Sequence, residues 1–138
     1  MTDHIYGMVI IIVLILVSIV VHELLHGIFF CILGHGSWRH DVKFGIMWSS
    51  LTPYCHYKKH LKAHIYAIGG LAPFLILGIG ISFYALLSEN SLLMYLGCFN
   101  IFASGGDLLI FCMLVAKHPK KVQDHPKRCG FIIIPNEN

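Results

Sequence analysis

The sequence predicts an all-α membrane protein with three transmembrane helices and a short β-hairpin or re-entrant segment after the first. Three observations carry that prediction. Apolar residues make up 57% of the chain and charged residues only 12%, against roughly 25% charged in an ordinary soluble domain. Three apolar runs each reach the length of about 20 helical residues that a hydrocarbon core requires. The basic residues then divide between the two sides that a three-span chain would have.

The spans are read at residues 7–33, 64–87 and 92–116, with a tail at 117–138. The first is no cleaved signal peptide: no Lys or Arg precedes it, it is too long, and it contains His, Glu and His. Arg39, Lys43, Lys58, Lys59 and Lys62 lie between spans one and two. Lys117, Lys120, Lys121, Lys127 and Arg128 follow span three. The N-terminal residues and the turn around Glu89 carry no Lys or Arg. The positive-inside rule therefore expects the N-terminus outside and the tail cytoplasmic, in an integral protein of the cell membrane.

Between spans one and two, residues 34–61 are not lipid-like throughout. Residues 42–48 suit a short hairpin or a re-entrant strand, and Trp38 and Trp48 suit the membrane interface. In the tail, the apolar run at residues 130–135 reads as a strand added to another edge or as a membrane-touching end. The 138 residues are expected to form a single membrane-embedded domain. Five cysteines include no CxxC pair and form no disulfide framework. A net charge of +3 gives no reason to expect nucleic acid as a partner.

Ionisable groups inside a membrane are costly and mark function. Span one holds His22, Glu23 and His26; span three holds Asp107. His22-Glu-Leu-Leu-His26 places two imidazoles four residues apart on one helical face, where both can grip one Zn2+ ion. Catalytic zinc takes three protein ligands and keeps a position for water. Glu23, beside the first ligand, is placed to activate a zinc-bound water as general base.

The third ligand is chosen among Asp107, Glu89, His64 and Glu137. Depth favours Asp107: at ~1.5 Å per residue, His26 and Asp107 both lie roughly 12–15 Å below the cytoplasmic surface. Glu89 is at the opposite face, Glu137 would have to fold back, and His64 is nearer the surface. His64 is retained as a residue that orients a ligand or substrate. Asn100, on the face of Asp107, either bonds an extended substrate or joins two helices. Gly69-Gly70 and Pro73 in span two mark either a packing kink or an opening for water or substrate. Ser104-Gly105-Gly106 removes bulk beside Asp107 and permits close helix approach. His56, His60 and His64, also spaced by four, are read as a second metal face or as interfacial residues.

These residues resemble the "putative zincin peptidase" family of small membrane proteins, and more distantly the three-helix core of site-2-type (M50-like) intramembrane metalloproteases. The resemblance rests on His22-Glu-Leu-Leu-His26, on a Gly/Pro-containing second helix, and on Ser104-Gly-Gly-Asp107. It implies zinc, with His22, His26 and Asp107 as ligands and Glu23 as base. Two details depart from the site-2 pattern: Leu108 stands where glycine usually follows the aspartate, and no asparagine accompanies Pro73.

The function expected is a zinc-dependent intramembrane endopeptidase hydrolysing peptide bonds in or near transmembrane segments. Its substrate would unwind locally and pair with residues 42–48. The alternative is a non-enzymatic membrane protein that binds, transports or senses metal. A haem or di-iron oxidoreductase ranks last, because its multiple histidine boxes are missing. Expected partners are the lipid bilayer, a membrane-protein or peptide substrate, and an oligomeric copy or regulatory membrane protein.

Overall fold

The computed structural model describes residues 2–48, 52–126 and 129–135. Helix α1 runs over Thr2–Leu33, roughly 48 Å at ~1.5 Å per residue. Its first two-thirds present Ile5, Val9, Ile12, Val13, Leu16 and Val20 outward. Such a long unpartnered apolar surface is what lipid, not water, accommodates.

A single helical turn, α2 (Trp38–Asp41), leads into strand β1 (Val42–Met47) and its antiparallel partner β2 (Thr52–Tyr57). Val42 pairs with Tyr57 and Met47 with Thr52, so the hairpin reading of this segment holds. Residues 49–51 of the connection lie outside the described residues. Strand β3 (His60–Lys62) then enters helix α3 (Ala63–Pro73).

Asp41 closes the base of the hairpin. Its Oδ2 accepts from the Ser37 amide at 2.6 Å and from Lys59 Nζ at 2.7 Å. The Lys59 ammonium, followed by the Ser37 amide, holds this carboxyl below its ordinary value of 3.8. A depressed folded-state pKa stabilises above the ordinary carboxylate value and is lost as pH falls through the folded one. The base of the hairpin is therefore expected to loosen only below about pH 4. Carboxyl NMR should find Asp41 titrating below a free aspartate, and Lys59→Met should move that titration upward.

Pro73 lacks an amide proton and crowds the preceding turn. The chain answers by widening into a π-helical segment, Phe74–Gly80, before regaining α geometry in α4 (Ile81–Leu87). The whole stretch Ala63–Leu87 remains long and apolar enough to cross a membrane, as does Ile5–Leu33.

The third predicted span is not one helix. It is α5 (Ser91–Ala103) and α6 (Gly105–Lys117), meeting at 42°. The cause is local. Gly105 and Gly106 are weak helix formers and directly follow the junction at Ser104. The predicted unbroken helix over 92–116 is corrected accordingly; together the two halves have the length and apolarity of one span.

The tail folds back. Strand β4 (Lys121–Asp124) pairs antiparallel with β3 and with β5 (Phe131–Ile134), giving the three-stranded order β3-β4-β5. Of the two readings of the tail's apolar run, the added strand is the one found. The buried core gathers at this end of the helices, from Phe30, Val42, Tyr57, Leu61, Tyr66, Leu114 and Val122. The sheets and this core brace the ends of α1, α3 and α6 against one another.

Candidate metal centre

The face of α1 that carries His22 and His26 turns toward the first turn of α6. His22 Nε2 lies 3.1 Å from Asp107 Oδ2, and His26 Nε2 lies 3.4 Å from Asp107 Oδ1. Both imidazoles are buried. One donor atom from each of the three residues falls within 4.8 Å of the others. Donors bound tetrahedrally to zinc at 2.0–2.1 Å stand roughly 3.3–3.4 Å apart. Two imidazoles and one carboxylate with these separations fit a zinc ion. The break at Ser104 contributes here: it places Asp107 in the first turn of α6, where the helix dipole favours an anion.

His26 is oriented from behind. Its Nδ1 donates to the Gly69 carbonyl at 3.0 Å, which leaves Nε2 as the lone-pair nitrogen facing Asp107. Outer contacts of this kind fix the tautomer of a metal-binding histidine. In an uninterrupted α-helix the Gly69 carbonyl would accept from the amide four residues later. That residue is Pro73, which has no amide proton. The proline thus frees the acceptor that His26 uses. Gly69 is also required for space: a Cβ there would meet the Phe30 ring at 2.5 Å. Phe30 stacks on His26 at 6.0 Å on one side and on Tyr66 at 5.4 Å on the other. Pro73→Ala is expected to let the helix reclaim Gly69 and to weaken zinc affinity roughly 10–100-fold, the usual cost of losing such an outer contact. Competition with a chelator dye measures it; unchanged affinity would sink the account.

Glu23, His26 and Asp107 open onto one cleft of about 180 Å³. Its other walls include Gly70 and Ala67 of α3, Ile110 and Phe111 of α6, and Pro53, Tyr54, Cys55 and His56 of β2. The Cys55 amide lies within hydrogen-bonding reach of the Glu23 carboxylate. Burial, then the nearby Glu23, pushes the Cys55 thiol well above its ordinary range, and Cys55 is not among the three clustered donors.

The remaining candidates lie elsewhere. His64 is exposed on the first turn of α3 and is not among the residues lining the cleft. Asn100 is buried, accepts from Ser18 Oγ at 2.8 Å and donates to the Leu96 carbonyl at 2.8 Å. It joins α5 to α1, the helix-joining alternative, and does not line the cleft. Glu89 is exposed in the α4–α5 turn, and Glu137 lies outside the described residues. His56, His60 and His64 fall on β2, β3 and α3; their spacing by four is not helical and makes no second metal face.

Sequence reasoning missed the His26–Gly69 contact, although Pro73 four residues after Gly69 was its signal. It also missed Asp124, whose carboxylate accepts from Tyr66 Oη at 3.0 Å and from the Tyr57 amide at 3.3 Å, and lies 3.2 Å from His56 Nδ1. No local pattern foretells a carboxylate brought in by a tail strand.

A family model described as "Putative zincin peptidase" matches residues 15–122. Comparison with curated proteins and with solved structures found no match.

Proposed function

This chain belongs to the putative zincin peptidase family, and from that premise we propose that it is a zinc-dependent intramembrane endopeptidase cutting peptide bonds in or near transmembrane segments. The observation that carries the proposal is the single cleft shared by Glu23, His26 and Asp107, built on helices of which two have the length and apolarity of membrane spans. His22, His26 and Asp107 would hold the zinc ion. Three spans follow if α5 and α6 cross together, and the basic residues then put the N-terminus outside and the tail in the cytoplasm. In this arrangement the enzyme is site-2-protease-like: the two imidazoles come from the first helix and the carboxylate from the last.

Bound there, zinc supplies Lewis acidity for water activation and carbonyl polarisation. The chain's own residues do the rest. Glu23 takes the proton from the attacking water as its oxygen bonds the scissile carbonyl carbon. It then passes that proton to the departing amine nitrogen as the C–N bond breaks. The Cys55 amide, within reach of the same carboxylate, restrains its orientation.

A helical substrate must unwind before its backbone can be reached. The hairpin expected to meet it at residues 42–48 borders the cleft mainly through β2. The cleft takes Pro53, Tyr54, Cys55 and His56 from β2 but only Met47 from β1. The Tyr57 amide turns to Asp124 rather than to β1, and Cys55, two residues earlier, shares that outer edge. Both amides serve the site itself, that of Cys55 directed at Glu23 and that of Tyr57 at Asp124.

The test is purified protein in nanodiscs, offered a panel of single-span peptides, with zinc measured on the same sample. Cleavage that 1,10-phenanthroline abolishes and zinc restores is the expected outcome. Stoichiometric zinc without cleavage of any peptide would favour the non-enzymatic metal-binding alternative.

A further inference from the structure

Across the cleft from the metal-binding face lies a second group of polar side chains. His56 on β2 is buried, and its Nδ1 sits 3.2 Å from Asp124 Oδ2. Asp124 is anchored independently by the Tyr66 hydroxyl and the Tyr57 amide. Both His56 and Asp124 line the same cleft as Glu23 and Asp107. The contact to Asp124 uses Nδ1, so Nε2 is the ring nitrogen on the side away from that carboxylate.

The two groups are joined by a continuous stack. His26 packs on Phe30, Phe30 on Tyr66, and Tyr66 bonds Asp124, which bonds His56. Two near-parallel ring pairs, at 14° and 11°, leave little freedom between the metal face and the imidazole. A carboxylate behind one ring nitrogen fixes the direction of the other. A side chain needed only to tie β2 to β4 has no reason to face the cleft, since the Tyr57 amide already makes that tie.

We propose that His56 is a further catalytic residue of this enzyme, with Asp124 its positioning residue. The inference rests on the peptidase reading above. With Nδ1–H directed at the Asp124 carboxylate and a second proton on Nε2, the ring offers Nε2–H to the scissile carbonyl oxygen. That oxygen gains negative charge as water adds to the carbon, and the bond strengthens as the charge develops. The imidazolium is balanced by Asp124 and gives up no proton in the step; Glu23 alone carries the proton from water to the amine. A donor aimed at the tetrahedral oxygen favours the transition state over the planar ground state.

The experiment compares wild type with His56→Leu and His56→Gln. Its probes are a hydrophobic phosphonamidate dipeptide, which is tetrahedral at phosphorus, and a single-span peptide that the wild type cleaves. His56→Leu is expected to keep its zinc, its thermal transition and its KM. Its kcat should fall about 10²–10³-fold, the range for losing one oxyanion donor, and its affinity for the phosphonamidate should fall in parallel. His56→Gln, whose amide can donate from a similar place, should recover part of both. Unchanged phosphonamidate affinity in His56→Leu, or a loss confined to KM and thermal stability, would make His56 a structural tie and overturn the proposal. Should His56→Leu not fold, His56→Gln and Asp124→Asn decide by the same ratio of kcat to KM effects. If wild type with full zinc neither binds the phosphonamidate nor cleaves, the peptidase reading itself fails, and this proposal with it.

Discussion

Glu23→Gln is expected to bind zinc as the parent protein does and to lose peptide cleavage by about 10²–10⁴-fold, the range for removing a positioned general base. The substitution changes almost nothing else. Glutamine has the same shape, and its carbonyl oxygen still accepts from the Cys55 amide that lies within reach of residue 23. The three clustered donors are His22, His26 and Asp107, so the metal site keeps its full set. What disappears is an atom able to take a proton from water and return it to the amine. Zinc per chain and initial cleavage rate, measured on one preparation, separate the two effects. A variant with normal zinc and undiminished cleavage would remove Glu23 from the chemistry. A variant that lost zinc would mean that Glu23 supports the metal directly.

The parts of this protein that were legible in the sequence are those written in short-range patterns. His22 and His26 share a helical face because their spacing is four. The first two spans are continuous apolar runs of sufficient length. Asp107 was matched to the motif by counting residues from the charged ends of two helices, and the structure brings it to 3.1 Å from His22. Other features had local signals that were given a different meaning. Ser104-Gly-Gly-Asp107 reads as small residues permitting close approach, yet the same stretch separates one helix from the next. Pro73 reads in sequence as a packing kink or an opening; in the structure it also leaves free the carbonyl four residues earlier, which His26 uses.

Another group of features had no local signal at all. The β3–β4 pairing joins residues about 60 positions apart, and strand pairing at that separation leaves no periodicity to count. The same sheet brings Asp124 from the tail to His56 and Tyr66, completing the far wall of the cleft. The side of the hairpin that borders the cleft was equally hidden. Alternation along a strand defines two faces but does not say which of two paired strands turns its edge inward. Helix spacing thus led to one wall of the site, while tertiary pairing built the other.

Asp107→Ala is expected to abolish stoichiometric zinc binding, with an affinity loss exceeding the roughly 10–100-fold that outer contacts cost. The remaining donors, His22 and His26, sit on a single face of α1 with ring centroids 5.0 Å apart, and nothing from α6 then closes the coordination. The loss should also be visible as uncoupled stability. In the parent protein, zinc at 100 times its Kd should add about 2.7 kcal/mol to the folded state, because the donors of α1 and α6 are brought together only there. In Asp107→Ala the thermal transition should no longer respond to zinc at that concentration. The metal-free proteins provide the control. There Asp107 still accepts from His22 across the same helix pair, so the variant should melt somewhat earlier even with chelator present. A variant that melts earlier but still gains the full zinc shift would make Asp107 a helix tie and place the third donor elsewhere in the cleft. A variant that loses the shift, beside a His22→Ala protein that loses it too, would mean that the carboxylate on the broken helix and the motif on the first helix bind one ion.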